Sequence, residues 1–161
     1  MPQTPALRVM FLCAGNICRS PTAEIITRHL LATAGATHVE VWSTGTAADV
    51  GYPMDRGSLA QMTAHGLDGT KHVARQVAQQ DIDNADMIVA LDRLEFLRLR
   101  PRVAMSLWPR LRTLTMFDSP ATFGDVANPW MQSEDVYSAV YEQIDRACRT
   151  LSDRLLATVP A

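Results

Sequence analysis

The chain has 161 residues, 47% of them apolar and 20% charged, with a net charge of −2, which suits one globular domain over 1–161 with a full core. That charge argues against general nucleic-acid or anionic-membrane binding, and no apolar run reaches the ~20 residues that membrane insertion needs. Three cysteines are too few for a disulfide scaffold, and residues 1–5 lack the charged and apolar regions of a secretory signal, so a cytoplasmic enzyme with a flexible 1–5 segment is expected.

The run Leu7 to Leu12 predicts a buried strand. Cys13-Ala14-Gly15-Asn16-Ile17-Cys18-Arg19-Ser20 follows at once, and Pro21 opens a helical stretch to about Thr33 with Ala23, Ile26 and Leu30 on one stripe. Glu24 is one residue late for a capping box, so Ser20 is the expected cap. Val39 to Ser43 reads as a second strand, closed by Ser43-Thr44-Gly45-Thr46, and Ala47 to Pro53 as a loop of turn formers. Asp55 is placed to cap a second helix that ends near His65, with Gly66 just past its end. Gly69 to Gln80 reads as extended and polar, and Asp81-Ile82 as the start of a short turn.

Met87 to Leu91 predicts a third strand. Asp92-Arg93-Leu94-Glu95 resembles a capping box for a helix to about Leu99, stopped by Pro101. Leu111 to Phe117 reads as a fourth strand and Asp118 to Trp130 as a long loop. The last helix spans about Ser133 to Leu156, with Val136, Val140, Ile144, Ala147, Leu151 and Leu155 as its stripe and Cys148 beside it as core. This alternation predicts an α/β fold: a four-stranded parallel sheet with helices on both faces and ligands at its carboxyl edge.

A strand, a tight Gly/Asn loop and a helix N-terminus together form an anion cradle, which makes the first loop the phosphate-binding element. Cys13 ends the strand inside that field, which favours its thiolate. Arg19 adds a planar fork matched to two oxygens of an oxyanion, and Ser20 either donates to the thiolate or caps the helix. Cys-x5-Arg alone is a weak pattern, and a buried structural cysteine beside a solvated arginine would also give it. The flanking strand, the Gly/Asn loop and the Ser-Pro helix start make it specific. Neither the cysteines nor His29, His38, His65 and His72 have zinc-ligand spacing, so no metal or cofactor is expected.

Val9 to Glu24 closely resembles the signature of low-molecular-weight protein tyrosine phosphatases. Ser43-Thr44-Gly45-Thr46, His65-Gly66-Leu67, His72-Val73-Ala74-Arg75-Gln76, Asp86 to Asp92 and Asn128-Pro129-Trp130 resemble that family's later segments in order, so the likeness covers almost the whole chain. The resemblance implies a hydrolase of phosphate monoesters, acting on phosphotyrosyl proteins or small aryl phosphates, with inorganic phosphate as product or inhibitor. It implies that Cys13 is the nucleophile and forms a phosphocysteine. Arg19 and the amides of Ala14, Gly15, Asn16, Ile17 and Cys18 would hold the phosphoryl oxygens, with Ser20, Ser43 and His72 supporting Asn16 and the loop. Left-handed geometry at Asn16 fits, since Asn tolerates it. Cys18 would form a reversible disulfide that shields Cys13 from over-oxidation.

Asn128 departs from the pattern, because it stands where the resemblance places an acidic proton donor. An amide donates hydrogen bonds but cannot deliver a proton, so acid catalysis is expected to suffer unless Asp125 or Asp118 replaces it. The rival readings are a thiol-dependent arsenate reductase and a phosphate- or phosphotyrosine-binding module with little turnover. The absence of cysteines between Cys18 and Cys148 argues against the first. Trp130 either walls the site or lies under the last helix.

Overall fold

The computed structural model describes residues 7–158, so the expectation for residues 1–5 lies outside the described residues. The chain runs β1 (Leu7–Cys13), α1 (Arg19–Thr33), β2 (Val39–Gly45), α2 (Arg56–Ala64), α3 (Gln79–Asn84), β3 (Met87–Ala90), α4 (Arg93–Leu99), β4 (Leu111–Thr113) and α5 (Glu134–Leu156). The four strands pair in parallel in the order β2-β1-β3-β4.

β1 is central, which is why its sequence is apolar at successive positions rather than alternating. Val9 and Phe11 face a core shared with Ala23 and Ile26 of α1 and Ile144, Cys148 and Leu151 of α5. Met10 and Leu12 point the other way, toward Ile82, Ile88, Leu99 and Leu111. Both faces of the sheet are therefore covered. Five of the six expected stripe residues of α5, Val140, Ile144, Ala147, Leu151 and Leu155, are buried, as is Cys148.

Local signals place several ends correctly. Asp55 accepts from Ser58 N at 3.1 Å at the start of α2, and Gly66 follows its end with φ +71°. Asp92 accepts from Glu95 N at 2.7 Å at the start of α4.

Three expectations need correction. The fourth strand is only Leu111–Thr113, because the chain tightens into a 3₁₀ turn over Leu114–Phe117 and buries Leu114, Thr115 and Phe117 without continuing the ladder. A buried apolar run looks the same in either conformation. The short turn near Asp81 is helix α3, whose third residue, Asp81, accepts from Ala78 N at 2.8 Å. Ser20 does not cap α1: the N-cap is Cys18, with no side-chain cap, and the Ser20 hydroxyl is directed to the loop.

Candidate active site

β1 delivers Cys13 to the carboxyl edge of the sheet, and residues 14–18 curl back into α1. The surrounding chain holds the loop carbonyls from outside. Thr46 N, Ala47 N, Asp49 N and Asp55 N donate to the oxygens of Cys13 (3.0 Å), Ala14 (3.0 Å), Gly15 (3.0 Å) and Ile17 (2.9 Å). His72 Nε2 lies 2.6 Å from Asn16 O, and Thr22 Oγ1 donates to Cys18 O at 2.7 Å. N–H and C=O point opposite ways in a planar trans peptide, so tethering the carbonyls outward turns the amides inward. With no side-chain cap, the first-turn amides of α1 are also left for an anion.

Asn16 is the hub of this loop. It is fully buried, at φ +58°, a backbone state that Asn tolerates and most residues do not. Its Nδ2 donates to Ser20 Oγ (2.9 Å) and Ser43 Oγ (3.0 Å), and its Oδ1 accepts from Arg75 N (3.0 Å). Ser43 donates to Glu24 Oε2 at 2.6 Å. Ser20 Oγ lies 2.9 Å from Cys13 Sγ. Ser20 accepts from Asn16, and its single proton has two acceptors in reach, the sulfur and Thr44 O at 3.4 Å. Gly45 must lack a side chain, since a Cβ there would meet Ala14 O at 2.3 Å.

Arg19 opens α1 with its side chain buried at the sheet edge. Its Nη1 donates to Asp92 Oδ2 (2.7 Å) and to Val126 O (2.9 Å). Asp92 thus caps α4 with one oxygen and holds Arg19 with the other. Cys13 to Arg19, Ala47, Asp49, Asn128 and Trp130 line one cavity of about 280 Å³. An amide-lined pocket with a thiol at its base and a buried guanidinium is built for a tetrahedral oxyanion that the sulfur can attack.

A profile of the low molecular weight phosphotyrosine protein phosphatases matches residues 8–161. The chain belongs to that family. It is 37% identical to a low molecular weight protein-tyrosine-phosphatase of Streptomyces coelicolor over 159 residues, covering 94% of this chain and 93% of the relative. It is 30% identical to one of Bacillus subtilis over 155 residues, covering 95% and 96%. A crystal structure of a low molecular weight phosphotyrosine phosphatase from Vibrio cholerae superposes with a TM-score of 0.86 at 26% identity, covering 95% of this chain and 99% of that one.

In this family member the loop residues from Cys13 to Arg19 line the pocket. Ser20, Ser43 and His72 brace the loop from behind, Ser43 and His72 lining a separate cavity with Glu24 and Arg75. Asn128 lines the same cavity, its Oδ1 accepting from Trp130 N at 3.2 Å. Trp130 is 53% exposed and lines the cavity, which settles its placement as wall rather than core.

The two substitute acids are committed elsewhere. Arg93, through its guanidinium and its backbone N–H, holds the Asp125 carboxyl below the usual carboxylate range. The Arg146 guanidinium, with the Ser119 N–H, likewise holds Asp118 low. Cys18 is buried, and burial, then the Asp55 carboxylate, push its thiol well up. Tyr137 Oη donates to that same Asp55, and burial pushes the phenol up.

Sequence reasoning gave Asp92 only a capping role and gave Arg75 and Glu24 none. Asp92 could have been found: it follows β3 at the same carboxyl edge that carries Cys13. Asn16's partners at Glu24 and Arg75 depend on how distant segments meet, which spacing does not reveal. Among the described residues, no helix is long and apolar enough to cross a membrane.

Proposed function

We propose that this chain hydrolyses phosphate monoesters, phosphotyrosyl groups and small aryl phosphates among them, through a phosphocysteine on Cys13. The observation that carries this reading is the alignment of Cys13 Sγ, 2.9 Å from Ser20 Oγ, beneath a loop whose carbonyls are tied outward. The Ser20 hydroxyl stabilises the attacking thiolate. The inward amides of Ala14 to Arg19 and the Arg19 fork take the phosphoryl oxygens and the charge that grows on them. Sulfur bonds to phosphorus as the ester oxygen leaves, and water then releases inorganic phosphate. The thiol chemistry suits the reducing cytoplasm.

Asn128 limits this chemistry. General acid–base help is typically worth ~10²–10⁴ in rate, and tyrosinate, with a conjugate-acid pKa of about 10, needs it most. Cys18 is the resolving thiol: once a peroxide has converted Cys13 to sulfenic acid, its sulfur attacks and water leaves. That step is slow, since its thiolate is disfavoured.

Arsenate reduction with an internal cysteine relay is less well supported. Cys148 is fully buried behind α1 and pushed up to about 12, chiefly by burial.

The test is turnover of a phosphotyrosyl peptide against p-nitrophenyl phosphate under reducing conditions. Turnover of both esters is expected, with the activated one faster. Tight vanadate binding with neither ester turned over would replace this reading with a binding module.

A further inference from the structure

We infer that Asp49, on the loop after β2, delivers the proton that Asn128 cannot. The inference rests on the phosphocysteine reading above. Asp49 is the only carboxyl among the residues lining the cavity of about 280 Å³ that also holds Cys13, Arg19 and Asn128. Its backbone is held at the loop, and its exposed side chain lies over Gly15. Its N–H donates to Gly15 O at 3.0 Å, and its Oδ2 lies so close over Gly15 that a Cβ on that residue would meet it at 2.9 Å. Among the described residues no Arg, Lys or His pairs with Asp49. Asp125 and Asp118, by contrast, are held as carboxylates by Arg93 and Arg146. Arg19, the fixed cation of the pocket, is already paired with Asp92. Asp49 is thus the one carboxyl of this wall that no cation among the described residues holds.

The steps balance with no further reagent. Cys13 thiolate bonds to phosphorus as the P–O ester bond breaks. The ester oxygen keeps that electron pair and takes the Asp49 proton, leaving as the free phenol. Asp49, now a carboxylate, then takes a proton from the water that attacks phosphocysteine. Phosphate leaves, Cys13 regains its thiolate and Asp49 its proton.

The test compares wild type with Asp49→Asn across aryl phosphates of rising leaving-group pKa, with vanadate inhibition measured on both. A missing acid steepens the dependence of kcat/KM on leaving-group pKa. For Asp49→Asn the expected result is a fall of about 10²-fold on a phosphotyrosyl peptide, a change under about threefold on p-nitrophenyl phosphate, and unaltered vanadate inhibition. An unchanged slope overturns the inference, whether the rates stay level, fall together with vanadate binding or rise together on loss of a repelling charge. A wild type inert on every ester sinks the phosphatase reading itself and this inference with it, whereas an active wild type matched by Asp49→Asn sinks this inference alone.

Discussion

Glu24 fixes the direction of the Ser43 hydroxyl through one contact, the 2.6 Å bond it accepts from Ser43. A carboxylate can only accept, so Ser43 must donate to it and receive from Asn16. Asn16 gives its other proton to Ser20, whose oxygen lies 2.9 Å from the sulfur. Such a chain polarises along its length.

Ser43→Ala should therefore cost both stability and rate. It strands one buried Asn16 N–H, worth about 1–3 kcal/mol, or a fall in Tm of roughly 3–10 °C at this chain length. It also frees the Asn16 amide to rotate, so kcat/KM for p-nitrophenyl phosphate should drop by about tenfold. Thermal denaturation and steady-state kinetics on the same preparation check both; a stable variant with full activity would refute the role of this contact.

Asp92→Asn separates two duties. Asparagine caps helices as well as aspartate does, so α4 should persist, while the charge opposite Arg19 is lost. The guanidinium keeps Val126 O but loses its charge-assisted partner, and its aim at the phosphoryl oxygens loosens. A rise of several-fold or more in KM and in the vanadate inhibition constant is expected, with helix content by circular dichroism unchanged. Equal KM in both proteins would show that Asp92 is only a cap.

With Asp49 in place as proton donor, restoring a carboxyl at Asn128 should speed phosphotyrosine hydrolysis by less than about tenfold and leave p-nitrophenyl phosphate hydrolysis nearly level. Placed on an Asp49→Asn background, Asn128→Asp should recover most of the rate lost there. A lower or unchanged rate would mean that the loop before α5 does not present residue 128 to the leaving group.

Asp118 links the end of the Leu114–Phe117 turn to α5 through two bonds to Arg146, at 2.6 and 3.0 Å. That pairing depresses the folded-state carboxyl, so its stabilising contribution is present above the unfolded value of about 3.9 and is lost as pH falls through the depressed one. Arg146 is more than half exposed, which keeps the pair within about 0.2–1 kcal/mol. Asp118→Asn should lower Tm by roughly 1–3 °C at pH 7, with the gap to wild type closing as pH falls below the usual carboxylate range. A gap that persists in acid would point to packing rather than charge.

The parts of this protein legible in sequence are those whose physics is local. Leu7 to Arg19 reads correctly because strand, loop and helix start are contiguous, and Asp55, Gly66 and Asp92 mark ends that depend only on their neighbours. The fourth strand was overextended because Leu114 and Phe117 are as buried in a 3₁₀ turn as they would be in a sheet. The Ser20 cap failed because tertiary contact outbid the local one: the hydroxyl serves Cys13 and Asn16. Asp49 is silent in sequence, since nothing in a loop of turn formers marks the one residue that lies over Gly15.

The oxyanion pocket is made of main chain, and this sets an order in which such a protein can change. Substituting Ala14 or Ile17 removes no amide, so capture of phosphate-shaped ions outlasts side-chain drift in the loop. Turnover hangs on single side chains, such as those of Cys13 and Arg19. A lineage built on this scaffold therefore loses its chemistry one residue at a time while keeping its grip, and a receptor for phosphate groups lies only a few substitutions from a catalyst.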